Sequence, residues 1–163
     1  MAREFAENLG GTKTKVGNLQ LKFSEDSVVG ATEIPAHGEQ WFKNMQLDMS
    51  HYHDFLNPKF RNSKFGATIP REFLLKSHSD LLRVIQKFFT CEGKFDKVRQ
   101  YHIRILMHFT RKKPLNIPFY LFRSLGKMAN KVHLRKQQGD AILFNFSLIK
   151  LLVLEELRNR NQD

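Results

Sequence analysis

The sequence predicts a mainly α fold, a compact bundle of about six helices with a small β-hairpin near the N-terminus, and three patterns predict it. From Lys94 to His108, the residues Phe95, Val98, Tyr101, His102, Ile105 and, one position beyond, Phe109 recur at the spacing that puts one apolar stripe on a helix, with Lys94, Lys97 and Arg104 mostly off it. This reads as a central core helix. The amphipathic segment from Pro118 to Val132 and the strongly apolar segment from Ile142 to Leu157 both need a surface to bury against, and the Lys94–His108 helix is the surface expected. Between Val16 and Phe23, Leu19, Leu21 and Phe23 alternate with Gln20 and Lys22, which is strand periodicity.

A chain of 163 residues, 41% apolar with 15 Phe, can bury a core of its own and is expected to form a single globular domain over residues 1–163. Its one cysteine, Cys91, cannot close an intramolecular disulfide, and its first residues lack the apolar run of a secretory signal, so a reducing compartment, nuclear or cytoplasmic, is expected. The C-terminal apolar stretch is interrupted by Asn145, Ser147 and Lys150, short of the roughly 20 residues that span a bilayer. No membrane partner is expected.

In chain order, Ala2 to Leu9 carries Phe5 and Leu9 on one helical face and is expected to stop at Gly10-Gly11. The Val16–Phe23 strand needs a partner, either Thr12 to Lys15 in a hairpin or another chain across an exposed edge. Ser24 suits an N-cap, followed by Glu25 and Asp26 where a helix dipole favours acids, so a short helix through Val29 is expected. Glu39 to Phe55 reads as two short helical pieces. Asn57 to Pro70, with two prolines and Gly66, is the longest irregular stretch and the best mobile-loop candidate. Pro70 suits a helix start, with a restart at Ser79-Asp80 after Ser77-His78 and periodicity up to Cys91-Glu92-Gly93. Arg111-Lys112-Lys113-Pro114 ends the central helix with cations beside its negative end. Pro118 opens the next helix, and a final one is expected from Ala141 to about Arg158 after Gly139-Asp140.

The order Arg3-Glu4-Phe5, Asn8-Leu9, Val16-Gly17, Phe23-Ser24 and Ile34-Pro35 resembles the opening of the plant transposon protein family found in plant mobile-element reading frames. There, a segment like REFYANL precedes a strand that ends in a Phe-Ser helix start and then a Leu-Pro turn. Arg104-Ile105-Leu106-Met107-His108, followed by Ile117 and Pro118, is similar to the middle of that family, so the resemblance runs through most of the chain. Ala6-Glu7 and Ile34-Pro35 depart from its pattern. Members usually carry more residues upstream, so the resemblance implies either a trimmed piece of a longer element-encoded protein or a shortened gene, and it supplies no catalytic residues to carry over.

The templates for chemistry are not met. His51 and His53 beside Asp54 would diverge on a helix and lack a third partner for zinc. His102, on the apolar stripe, reads as a hydrogen-bonded core histidine, and His108, six residues on, does not share its face well. Cys91 sits at an expected helix C-terminus, which disfavours a thiolate. The G-x-S-x-G, P-loop and G-x-G-x-x-G patterns are missing, and the basic middle of the chain holds only Glu72, Asp80, Glu92 and Asp96 against the carboxylate triad of a metal-dependent transposase. A non-enzymatic protein with no cofactor, no metal and no small-molecule substrate is the expectation.

Charge is the remaining signal. Residues 1–58 hold 5 Lys/Arg against 8 Asp/Glu, residues 59–136 hold 19 against 4, and residues 137–163 hold 3 against 4, so the middle carries the whole +11. Such asymmetry suits a polyanion, nucleic acid included, and equally a solubilising surface. Lys59, Arg61, Lys64, Arg71 and Lys76 interleave with Phe60, Phe65 and Phe73 as phosphate and stacking contacts would, or the rings are core and the cations their rim. Arg111, Lys112, Lys113, Arg123, Lys127, Lys131, Arg135 and Lys136 form a second cluster, in which Arg123, Lys127 and Lys131 make one stripe at i, i+4, i+8. Nucleic acid, DNA or RNA, is therefore the first expected partner. The alternative is a protein partner or a homo-oligomer, formed through the Trp41/Phe42 region or the Ile142–Leu154 helix.

Overall fold

A computed structural model describes residues 1–41, 49–66, 68–90, 96–134 and 146–161. The chain is mainly α, and its described residues form six α-helices, an N-terminal β-hairpin and a second short antiparallel pair. Contacts divide it into two units, Met1–His37 with Asn116–Asp163, and Gly38–Leu115. Among the described residues, no helix is long and apolar enough to cross a membrane.

In the first unit, α1 (Ala2–Glu7) buries Ala2, Phe5 and Ala6 on one face. A six-residue helix is not stable alone, and three side-chain bonds fasten this one to the hairpin of β1 (Lys13–Val16) and β2 (Leu19–Lys22). Thr14 Oγ1 donates to the Phe5 carbonyl at 2.7 Å, Asn8 Nδ2 donates to the Lys15 carbonyl at 3.0 Å, and Glu4 Oε1 accepts from the Gly17 N–H at 2.7 Å. The expected partner strand is thus present, with Thr14 opposite Leu21 and Val16 opposite Leu19. Gly17, at φ 59°, takes the first central position of the two-residue turn, where a glycine matches the twist of the flanking strands. α1 ends at Asn8 in the right-handed region, two residues before the Gly10-Gly11 stop that the sequence predicts, and Gly10 instead pairs with Lys13 at the mouth of the hairpin.

The expected cap on α2 (Glu25–Thr32) is present: the Ser24 hydroxyl accepts from the Ser27 N–H, and the Ser27 hydroxyl accepts from the Ser24 N–H. The helix runs one turn past the expected Val29. α5 (Ile117–Leu134) starts where Asn116 Oδ1 accepts from the Phe119 N–H at 2.9 Å, while Asn116 Nδ2 reaches Glu25. It packs its Tyr120, Leu121, Leu125, Met128 and Ala129 stripe against α1 and α2. α6 (Phe146–Arg160) packs Leu148, Ile149 and Leu152 on α2 and β2. The surface that these two helices cover within their unit is therefore the N-terminal segment, whereas the Lys94–His108 stretch belongs to the other unit. The expected start of α6 at Ala141 lies outside the described residues.

In the second unit, the predicted Lys94–His108 helix is replaced at its start by a strand. β4 (Lys97–Arg99) pairs antiparallel with β3 (Thr68–Pro70), so that buried Ile69 and Val98 face each other, and only then does α4 (Gln100–Thr110) begin. Tyr101, His102, Ile103, Ile105, Leu106 and His108 are buried on α4, whereas Phe109, assigned to the stripe, is 40% exposed. The Asn57–Pro70 stretch is more ordered than the sequence predicts, with a helical turn over Pro58–Phe60 capped by Asn57 and then β3 itself. Pro70 closes that strand and opens only a short 3-10 turn over Arg71–Phe73; α3 (Lys76–Ile85) starts later and contains Ser77-His78 without a break, followed by a π-helical turn over Gln86–Thr90. Of the two helical pieces expected in Glu39–Phe55, Met49–Tyr52 forms a short helical turn and residues 42–48 lie outside the described residues.

Candidate nucleic-acid interface

Partition of the chain by its contacts redistributes the charge. Gly38–Leu115 holds 15 Lys/Arg against 7 Asp/Glu, a net +8, and the other unit holds 12 against 9, a net +3. The acids of the N-terminal segment therefore share a unit with the Arg123 stripe, and the Lys59 and Arg111 groups sit in the more basic one.

In the basic unit, Lys59, Arg61 and Lys64 are exposed on the segment that follows the Asn57 cap. The interleaved aromatics pack on one another: the Phe60 and Phe73 rings stack at 4.0 Å and 5°, Phe65 meets Phe73 edge-on at 5.7 Å, and the Lys59 ammonium lies 5.3 Å from the Phe60 centroid. Each of the stacked rings has one face covered by the other, which removes that face from any base.

Arg111, Lys112 and Lys113 are exposed at the end of α4. The helix stops because Lys112 turns left-handed at φ 51° and the Lys113 N–H returns to the His108 carbonyl at 3.0 Å, the glycine-type ending with a lysine in the glycine position. Arg111 is not wholly available, since its guanidinium holds Asp54 at 3.1 Å. The same contact ties up the acid of the His51/His53/Asp54 cluster, and no group of three potential metal ligands occurs among the described residues. Two further carboxylates are held by cations: Glu39 by Arg104 at 3.0 Å, and Asp80 by Lys76 at 2.7 Å. In each case the hydrogen bond to the cation is the main reason the carboxyl lies below its ordinary range.

In the other unit, Arg123 and Lys127 are exposed on α5, opposite its buried stripe. Lys131 continues the same helix, although its side chain, like all of Arg135 and Lys136, lies outside the described residues. Cys91 and Phe42 lie outside them too.

Two buried polar groups carry more structure than the sequence discloses. Gln86, fully buried, donates from Nε2 to the Lys97 carbonyl and to His102 Nδ1, both at 3.3 Å, and its Oε1 accepts from Arg71. His102 Nδ1 also accepts from the Arg99 N–H at 3.0 Å, so this histidine fixes the β4–α4 junction, the structural role expected of it. Trp41 is engaged on both sides: its ring lies 4.5 Å from the Arg104 guanidinium and stacks on His108 at 5.7 Å. Arg71, expected in the exposed rim, is half-buried, and burial above all pulls its guanidinium below the usual value. Compared with family models, with curated proteins and with solved structures, the chain matches none of them.

Proposed function

We propose that this chain is a non-enzymatic domain, derived from a plant mobile element, that binds nucleic acid through charge on the sugar-phosphate backbone. The observation that carries the reading is the state of the cations in Gly38–Leu115. Three of its carboxylates, Glu39, Asp54 and Asp80, are each held by a neighbouring cation, while Lys59, Arg61, Lys64, Lys112 and Lys113 are exposed and outside any ion pair among the described residues. Such cations bind phosphates by releasing counterions, a term that does not depend on base identity. The mutual stacking of Phe60 and Phe73 supports phosphate contact over base stacking. Arg123, Lys127 and Lys131 are a second contributor on α5, with Arg135 and Lys136 next in sequence. A nuclear or cytoplasmic location suits both this partner and the single cysteine.

The test is a salt series of binding to labelled single- and double-stranded DNA and RNA, on protein whose oligomeric state is known from light scattering. Affinity is expected to fall on a log-log line as salt rises, with a slope that counts phosphate contacts, and to drop at least tenfold at low salt in a K59E/R61E/K64E variant, roughly the loss of one or two charge contacts. Absence of binding at low salt overturns the reading. One observation favours the alternative, a protein-interaction or self-assembly module: Leu151, Leu154 and Leu157 are 41%, 49% and 44% exposed at helical spacing on α6. A stable oligomer without nucleic-acid binding would establish it.

A further inference from the structure

We propose that His108 is a protonation-sensitive latch that holds the Gly38–Trp41 segment on helix α4. The segment is seated by its backbone: the Glu39 N–H donates to the Pro114 carbonyl at 3.1 Å, Glu39 forms a parallel bridge with Leu115, and Gly38, at φ 104°, lies so close that a Cβ there would be 2.6 Å from the Pro114 carbonyl carbon. Its side-chain anchor is Trp41, whose Nε1–H donates to His108 Nε2 at 3.0 Å.

In the neutral ring each nitrogen has one role. Nε2 accepts from Trp41, so Nδ1 carries the proton and donates it to the Lys113 carbonyl at 3.2 Å. A second proton can only go to Nε2. There it meets the indole N–H, donor against donor, and the hydrogen bond that anchors Trp41 is lost. Glu39 Oε2 lies 3.5 Å from the same nitrogen and becomes its acceptor. Protonation therefore exchanges an indole for a carboxylate on one atom, in the pH range where histidine is the side chain that changes charge.

The charged groups at the ring are Glu39, which Arg104 also holds through Oε2, Arg104 itself and, next to Glu39, Lys113. Among the described residues, α3 and β4, the elements packed on α4, place no charged side chain within ion-pair distance of the ring.

Trp41 is the only tryptophan of the chain, so emission excited beyond the tyrosine absorption band comes from this residue alone. The experiment is a fluorescence titration of the full chain from pH 8 to pH 5, beside His108→Gln and Glu39→Gln. The expected result is a sigmoidal loss of emission with a red shift in the wild type, no such transition in His108→Gln, and a midpoint moved to lower pH in Glu39→Gln. A flat wild-type profile overturns the proposal, as does the same sigmoid in a folded His108→Gln. If circular dichroism shows that His108→Gln does not fold, Glu39→Gln decides, because this carboxylate is 51% exposed and removable without a cavity: a midpoint equal to or above the wild-type value overturns the latch.

Discussion

Each of the two units is held together internally by different physics. In Met1–His37 with Asn116–Asp163 the centre is apolar: Phe5 meets Phe23 edge-on at 5.4 Å, Phe23 meets Phe122 at 4.8 Å, and the polar bonds that fasten α1 to the hairpin lie around this cluster. In Gly38–Leu115 the centre includes Gln86 and His102, both fully buried, and His108, 5% exposed. Apolar packing is non-directional and loses stability in proportion to what is removed, whereas a buried polar network depends on every partner being in place. The first unit should therefore respond to lost volume, and the second to the loss of single atoms.

The comparison predicts its largest effect at the apolar centre. Phe23→Ala removes a ring that is 2% exposed and packs on Phe5 and Phe122, and should destabilise by about 3–5 kcal/mol in urea unfolding. A loss under about 1 kcal/mol would show that the apolar cluster does not hold this unit.

The next effect tests the polar centre. Gln86→Ala deletes little apolar volume but leaves the Lys97 carbonyl, His102 Nδ1 and Arg71 each short of a partner, and should lower stability by about 1–3 kcal/mol, with faster amide exchange at the β4–α4 junction. A replacement without effect would mean that the network is not what fixes that junction.

The smallest effect is one the units share. α2 ends on Glu33 and α4 is followed by Lys112, both left-handed without being glycine, at φ 58° and 51°. Glu33→Gly and Lys112→Gly should each stabilise by up to about 1 kcal/mol, read as a rise in thermal midpoint. Unequal gains would show that one of the two helix ends is compensated by contacts other than its backbone.

Much of the N-terminal unit was legible because its signals are local. Alternation at Leu19, Leu21 and Phe23 identified the hairpin, Ser24 with Glu25 and Asp26 identified the start of α2, and Pro118 the start of α5. The basic positions were equally legible, since charge is read from composition. The second unit was misread where a distant segment intervened. Val98 fits a helical stripe as well as a strand, and only its pairing with Ile69 decides for the strand; helical spacing likewise counted Phe109 into a stripe that leaves it half out in solvent.

By itself, then, the sequence determined the helical class, the hairpin, the Ser24 cap of α2 and where the cations fall, because periodicity, capping and charge act over a few residues. Tertiary structure alone decided that α5 and α6 cover the N-terminal segment, that Phe60 spends a face on Phe73, and that Trp41 reaches His108 across 67 residues. Those contacts depend on loop closure and on competition among many apolar and polar partners of similar affinity, and no local pattern encodes which of them wins.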